Sequence, residues 1–210
     1  MPQYEVHKLF PTPLFVYDDL TTTEEERNFV YNQEWLRQNS DNGWMTNNYY
    51  LLNEPVLKTL KEKIENIFDI YLHDILKIPK EMKCRLTTSW AVKHNPGDWG
   101  VKHLHTNSVF SGVFYIKTNE DTGDINFHRQ TQDVSVLPLA VRPGRFDEVN
   151  EFNAHDYRVV ARNNKCIIFP SSLMHSAAPN KSDQDRYCIA FNFFPTEIDI
   201  RGEVYIQNDD

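Results

Sequence analysis

A chain of 210 residues, 40% of them hydrophobic, is long enough to bury one core and too short for two comfortable ones. Its formal net charge of -8, unbroken by any Lys/Arg cluster, argues against a nucleic-acid partner, although one buried arginine could still hold a small anion. No apolar run approaches the roughly 18 residues that span a bilayer, and the start MPQYEVHKLFPTPLF lacks the pattern of a targeting segment, which predicts a soluble, cytoplasmic protein.

The first helix is predicted over Thr21–Asn39. Thr22 or Thr23 can cap it, Glu25 or Glu26 follows three residues on, and Phe29, Val30 and Leu36 supply an inward stripe. A second is predicted to start near Pro55 and to stop before Pro79, with Val56, Leu60, Ile64, Ile67, Tyr71 and Ile75 recurring at steps of three or four. Beyond Lys83 the pattern changes to short β-rich runs: Leu86–Val92, Val109–Lys117, Ile125–Phe127, Tyr157–Val160, Cys166–Phe169 and Arg186–Phe194. Asn95-Pro96-Gly97, Thr122-Gly123, Pro143-Gly144 and Asn163-Asn164 punctuate them. Helices first and strands after favour an α+β class with a sandwich or barrel: one domain, helical over about 1–80, with its β core over about 84–196. The span Arg129–Asp156 is too long and too weakly patterned for a hairpin loop, and so is a candidate lid. Cys84, Cys166 and Cys188, odd in number and set in apolar runs, fit reduced core thiols.

In GVKHLHTNSVFSGVFYI, His103 and His105 stand two apart. As strand residues both would face one way, a bidentate metal geometry, though an isolated pair also fits two solvent-facing positions at a strand end. Downstream, CIIFPSSLMHSAAPNKSDQDRYCIAFNFFP breaks a strand at Pro170, presents His175, and opens a second strand at Arg186. Parity there sets Arg186, Cys188, Ala190 and Asn192 on a roomy face and Tyr187, Ile189, Phe191 and Phe193 on a bulky one. An arginine heading the roomy face is placed to fork a carboxylate.

The order His-x-His, SGVFYI, IIFPSSLMHSAAP and RYCIAFN resembles the small stand-alone 2-oxoglutarate- and Fe(II)-dependent oxygenases of bacteria and their viruses. The likeness runs from Leu9 to Pro195 and is strongest from Trp90 to Asn192. It implies a double-stranded β-helix, a jelly-roll of cupin type, braced by the N-terminal helices. It also implies His103, His105 and His175 as ligands of Fe(II), with Arg186 binding the remote carboxylate of 2-oxoglutarate. Tyr115 and Asn192 join Arg186 as cosubstrate-side residues, and O2 is the oxidant. The implied reaction is hydroxylation of a small molecule or a peptide side chain.

One departure bears on the metal. Most such oxygenases carry His-x-Asp or His-x-Glu, and here the middle position is His105, with Asp124 as the fallback carboxylate. A large coordinating side chain at 105 leaves no gap for a halide, which favours hydroxylation over halogenation. His128 is expected to be solvated or to touch substrate, His94 to line the entrance, and His7, His73 and His155 to be structural or exposed. Trp90 and Trp99 are expected as core or rim packing. Two other readings stay open: a cupin-like metalloprotein using another metal without 2-oxoglutarate, and a barrel that binds without turnover.

Overall fold

The computed structural model describes residues 5–6, 8, 10–38, 43–130, 147–200 and 204–207. His7 and residues 131–146, which make up most of the expected lid, lie outside the described residues.

After strand β1 (Phe15–Tyr17), helix α1 (Glu24–Tyr31) starts in a capping box: Glu26 N–H donates to Thr23 Oγ1 (3.1 Å), and Thr23 N–H to the Glu26 carboxylate (2.7 Å). The helix ends eight residues short of the expected Asn39. Trp35–Arg37 instead forms β2, paired with β3 (Trp44–Thr46), and Leu36 is exposed rather than turned inward. Tertiary packing overrides helical propensity here, since the Trp35 ring meets Tyr187 edge-on at 5.7 Å and Lys93 Nζ lies 5.2 Å from its centre.

A 3-10 turn at Pro55–Leu57 leads into α2 (Lys58–Asp69), which continues as a π turn over Ile70–Ile75. Leu60, Ile64, Ile67 and Tyr71 are buried as the periodicity requires, but Ile75 is exposed and Leu72 is buried instead. The π turn explains the change of face. Its i→i+5 bond, Leu76 N–H to the Tyr71 carbonyl (3.0 Å), adds a residue to the turn and rotates the residues after it.

The remaining strands are β4 (Cys84–His94), β5 (Gly100–His103), β6 (Phe110–Lys117), β7 (Ile125–His128), β8 (Asp156–Val159), β9 (Cys166–Pro170), β10 (His175–Ala177), β11 (Arg186–Pro195), β12 (Glu197–Ile200) and β13 (Val204–Gln207). A seven-stranded sheet runs β1-β9-β6-β11-β4-β3-β2, a four-stranded sheet runs β5-β10-β7-β8, and β12 pairs with β13. The two larger sheets make the jelly-roll, and the helices cover the outer face of the seven-stranded one. Phe68 of α2 stacks on Phe193 of β11 at 3.8 Å, in a cluster with Leu60, Ile64, Phe114, Ile189 and Phe191. Between the sheets, Val113, Tyr115, Ile167, Phe169 and Cys188 meet Ile125, Phe127 and Val159. The parity of β11 is thus realised: its bulky residues face the helices and its small ones face the barrel interior, as in the expected α+β architecture.

Candidate metal centre

β5 and β10 run antiparallel with His103 directly opposite His175, which brings their rings to 4.3 Å between centroids. His105 arrives differently from the expected shared strand face. β5 ends at His103, and the following loop is pinned where His105 N–H donates to the Ser171 carbonyl (2.9 Å), leaving its ring 5.3 Å from each of the other two. One donor atom from each of the three histidines lies within 4.8 Å of the others.

The second ring nitrogen of each histidine decides its tautomer. His103 Nδ1 is 2.8 Å from the Val101 carbonyl, His175 Nδ1 is 2.9 Å from the Leu173 carbonyl, and His105 Nδ1 is 2.7 Å from Asn192 Oδ1. Carbonyl oxygens only accept, so each Nδ1 carries the hydrogen and each Nε2 keeps its lone pair free. Burial lowers the pKa of His105. It also lowers that of His175, to about 3, with the neighbouring His103 adding to the effect. Both are therefore neutral near pH 7, the form that binds a metal. Ser111 Oγ also lies 2.9 Å from His105 Nδ1 and donates to Asn192 Oδ1 (2.8 Å), while Asn192 Nδ2 donates to Thr88 (2.9 Å).

Asp124 does not supply a carboxylate to this group. It is buried, its oxygens accept from Arg158 Nε and from Ala161 N–H (2.8 Å), and among the described residues the cluster is all histidine.

At the other end of the barrel interior stands Arg186, 2% exposed and directly opposite His94 of β4. Its guanidinium donates to the carbonyls of Gly123 and Thr122 (3.4 Å for the latter) and to His94 Nδ1, and lies 5.9 Å from the centre of the Tyr115 ring. No carboxylate among the described residues pairs with it, and its Nε is buried without a partner. Burial raises the pKa of Tyr115, which keeps its hydroxyl protonated as a donor. Cys188 and Ala190 of β11 share the inward face between Arg186 and Asn192. Asn192 lies six residues from Arg186, roughly 20 Å along an extended strand. The structure brings Asn192 to His105 and not to the arginine end.

Several residues stand where the sequence does not point. His94 is buried beside Arg186 rather than lining an entrance. His128 is held between Asp156 (2.5 Å) and Ser176 (2.8 Å), beside the strand that carries His175. Half-buried Trp90 has its ring 6.0 Å from that of His105 and 6.3 Å from the exposed Tyr49, so an aromatic wall leads from the cluster toward solvent. Strand parity carries the signal for two of them, since Thr88, Trp90, Val92 and His94 fall on one face of β4.

The family model described as "Putative 2OG-Fe(II) oxygenase" matches residues 88–192, half of the chain, a span that contains the three histidines and Arg186. No protein of curated function matches the sequence. Among solved structures, the chain is similar to SnoN, a non-heme alpha ketoglutarate dependent epimerase from nogalamycin biosynthesis, with 13% identity over 89% of this chain and 80% of that one and a TM-score of 0.62. It is also similar to HygX from Streptomyces hygroscopicus, solved with nickel, 2-oxoglutarate and hygromycin B bound (13% identity, 94% and 93% covered, TM-score 0.55). A prolyl hydroxylase from Trichoplax adhaerens, in complex with a hypoxia inducible factor peptide fragment, is a third (10% identity, 86% and 83% covered, TM-score 0.57). At these identities the likeness is one of fold.

Proposed function

We propose, from the premise that this chain belongs to the 2OG-Fe(II) oxygenase family, that it hydroxylates a C–H bond of a small metabolite or a peptide side chain. Ferrous iron, 2-oxoglutarate and O2 are the family's cofactor, cosubstrate and oxidant. The residues present fit them. His103, His105 and His175 would hold the metal through Nε2, and Arg186 would take the remote carboxylate of 2-oxoglutarate with the Tyr115 hydroxyl as a further donor. The observation that carries the reading is the pairing of three preset imidazole lone pairs with a buried guanidinium that has no carboxylate of its own. A buried cation without a counter-charge is costly, and a diacid would supply one. A metalloprotein working without the keto acid leaves Arg186 unexplained.

Iron and the keto acid, when bound, would supply the oxidising power to turn a C–H bond into C–OH, with 2-oxoglutarate and O2 giving succinate, CO2 and the inserted oxygen. The protein's own contribution is geometry. Asn192 and Ser111 fix the His105 ring from behind, and carbonyls fix the other two. Phe169, edge-on to His175 at 4.8 Å, and Phe127, with its ring 6.2 Å away, pack against the His175 ring from the barrel interior. Three imidazole ligands would leave a ferrous ion its full charge, where a His-x-Asp site would offset part of it. Trp90 and Tyr49 offer an aromatic face to a substrate approaching His105, and exposed His103 lies on the open side.

The small-molecule and peptide classes are supported by the ligands held in the HygX and prolyl hydroxylase structures, and a nucleic-acid substrate is disfavoured by the net charge of -8. A cytoplasmic setting suits three free cysteines. Among the described residues no helix is long and apolar enough to cross a membrane. The test is anaerobic: Fe(II) and 2-oxoglutarate together should give a visible charge-transfer band that Fe(II) alone does not, followed by substrate-stimulated succinate release in air. A protein that binds iron but never develops the band would overturn the proposal.

A further inference from the structure

His94 is a second buried imidazole whose hydrogen-bond arrangement is the reverse of the three in the cluster. Its Nδ1 faces a guanidinium N–H of Arg186 and must accept, so its hydrogen sits on Nε2, and a hydrogen bond links the ring to the Trp99 backbone. An imidazole in this tautomer, tied to a cation, is committed to holding that cation. We propose that His94 is the positioning residue for Arg186, fixing the guanidinium in the plane that admits a C5 carboxylate and so setting the preference for a diacid over a monoacid cosubstrate. This rests on the assignment of Arg186 as the 2-oxoglutarate anchor.

The surroundings are built around that ring. Gly43, at φ +74, passes so close that an added Cβ would lie 2.4 Å from His94 Cδ2 and 2.7 Å from the Lys93 carbonyl, so the backbone itself closes the site behind the imidazole. Asn180 Nδ2 donates to the His94 carbonyl (2.9 Å). The loop after His94 is anchored by Asp98, whose carboxylate takes a two-pronged bond from Arg37 (2.7 and 2.9 Å) and one from Asn95 N–H (2.9 Å). With Thr122 and Gly123 holding Nη1 and His94 holding Nη2, the guanidinium is fixed from two sides. A lysine could not satisfy this arrangement, because it has no planar fork.

The experiment compares wild type, His94→Leu and His94→Asn by anaerobic titration of the iron-loaded protein with 2-oxoglutarate and, separately, with 2-oxobutyrate, which lacks the second carboxylate. Leucine keeps volume but leaves an Arg186 N–H unsatisfied, and asparagine restores an acceptor near the Nδ1 position. His94→Leu should bind 2-oxoglutarate at least about tenfold more weakly, with Fe(II) affinity and 2-oxobutyrate binding unchanged, and His94→Asn should recover most of the loss. Wild-type 2-oxoglutarate affinity and diacid preference in His94→Leu would overturn the positioning role alone. Failure of wild type to distinguish the two acids would overturn both this role and the Arg186 assignment beneath it. Should the leucine variant not fold, an asparagine variant that loses diacid preference despite its acceptor would equally overturn it.

Discussion

At the scale of single residues, the histidine cluster depends on oxygens behind the rings as much as on the rings. His103 and His175 take their Nδ1 partners from carbonyls two residues back in the chain, so their orientation is set locally. His105 is different, because its acceptors are side chains six and 87 residues away. Asn192→Ala is expected to lower Fe(II) affinity by about tenfold, and Ser111→Ala by less, since either oxygen can hold the Nδ1 hydrogen. The double variant should lose about a hundredfold. Anaerobic metal titration checks this, and an unchanged double variant would show that the ring holds its tautomer without them. The same contrast marks what the sequence displays at this scale. His-x-His, His175 and Arg186 are visible because residue type and spacing mark them. The partners that orient them are not, because Asn192 beside His105 and His94 beside Arg186, 92 residues apart, are products of strand register.

At the scale of elements, legibility follows how far each segment depends on distant packing. β6, β9 and β11 are apolar runs bounded by turn residues, and each forms within two residues of its expected limits because the pattern records its own burial. β2 and β10 are three residues long and are defined by their partners, so nothing local announces them. α1 is likewise cut short by the pairing of β2. Its surviving two turns rest on the Thr23 box, and Thr23→Ala should cost about 1 kcal/mol in denaturant unfolding. A larger effect is expected at the centre of β6. There Gly112 pairs with Phe191 of β11, and an added Cβ would lie 2.2 Å from the Phe191 ring and 2.9 Å from the Ile167 carbonyl. Gly112→Ala forces that buried ring out of the helix-side core and should destabilise the protein by about 2–3 kcal/mol. A chemical-denaturation midpoint unchanged from wild type would show that the ring can yield.

At the scale of the whole molecule, the barrel holds His94 neutral at a point where charge is already concentrated. Burial lowers its pKa from 6.5 to about 3, Arg186 of β11 and Arg37 of β2 add to the shift, and Asp98 opposes it. The unfolded chain has no such restraint, so its His94 takes up a proton as the pH falls through 6.5 while the folded protein does not. Stability from this group is complete above pH 6.5 and declines as the pH drops toward 3, by up to about 1.4 kcal/mol per pH unit. Asp98 acts in a different window. Burial alone would raise its carboxyl, but the Arg37 fork and Asn95 N–H hold it below the usual range, so its stabilisation is lost only near and below pH 4. Between pH 6 and 4 Asp98 stays silent, whereas His175 and His105, also lowered by burial, contribute alike to wild type and to a His94 variant, so the difference between the two proteins isolates His94. Urea unfolding of the metal-free protein should show wild type losing about 2 kcal/mol more than His94→Leu over that interval. Parallel losses in the two proteins would mean that the folded protein takes up the proton at His94 Nδ1 as readily as the unfolded chain, giving up the bond from Arg186, and that the interior around residue 94 is wetter than the packing of Gly43, Arg186 and Asp98 implies.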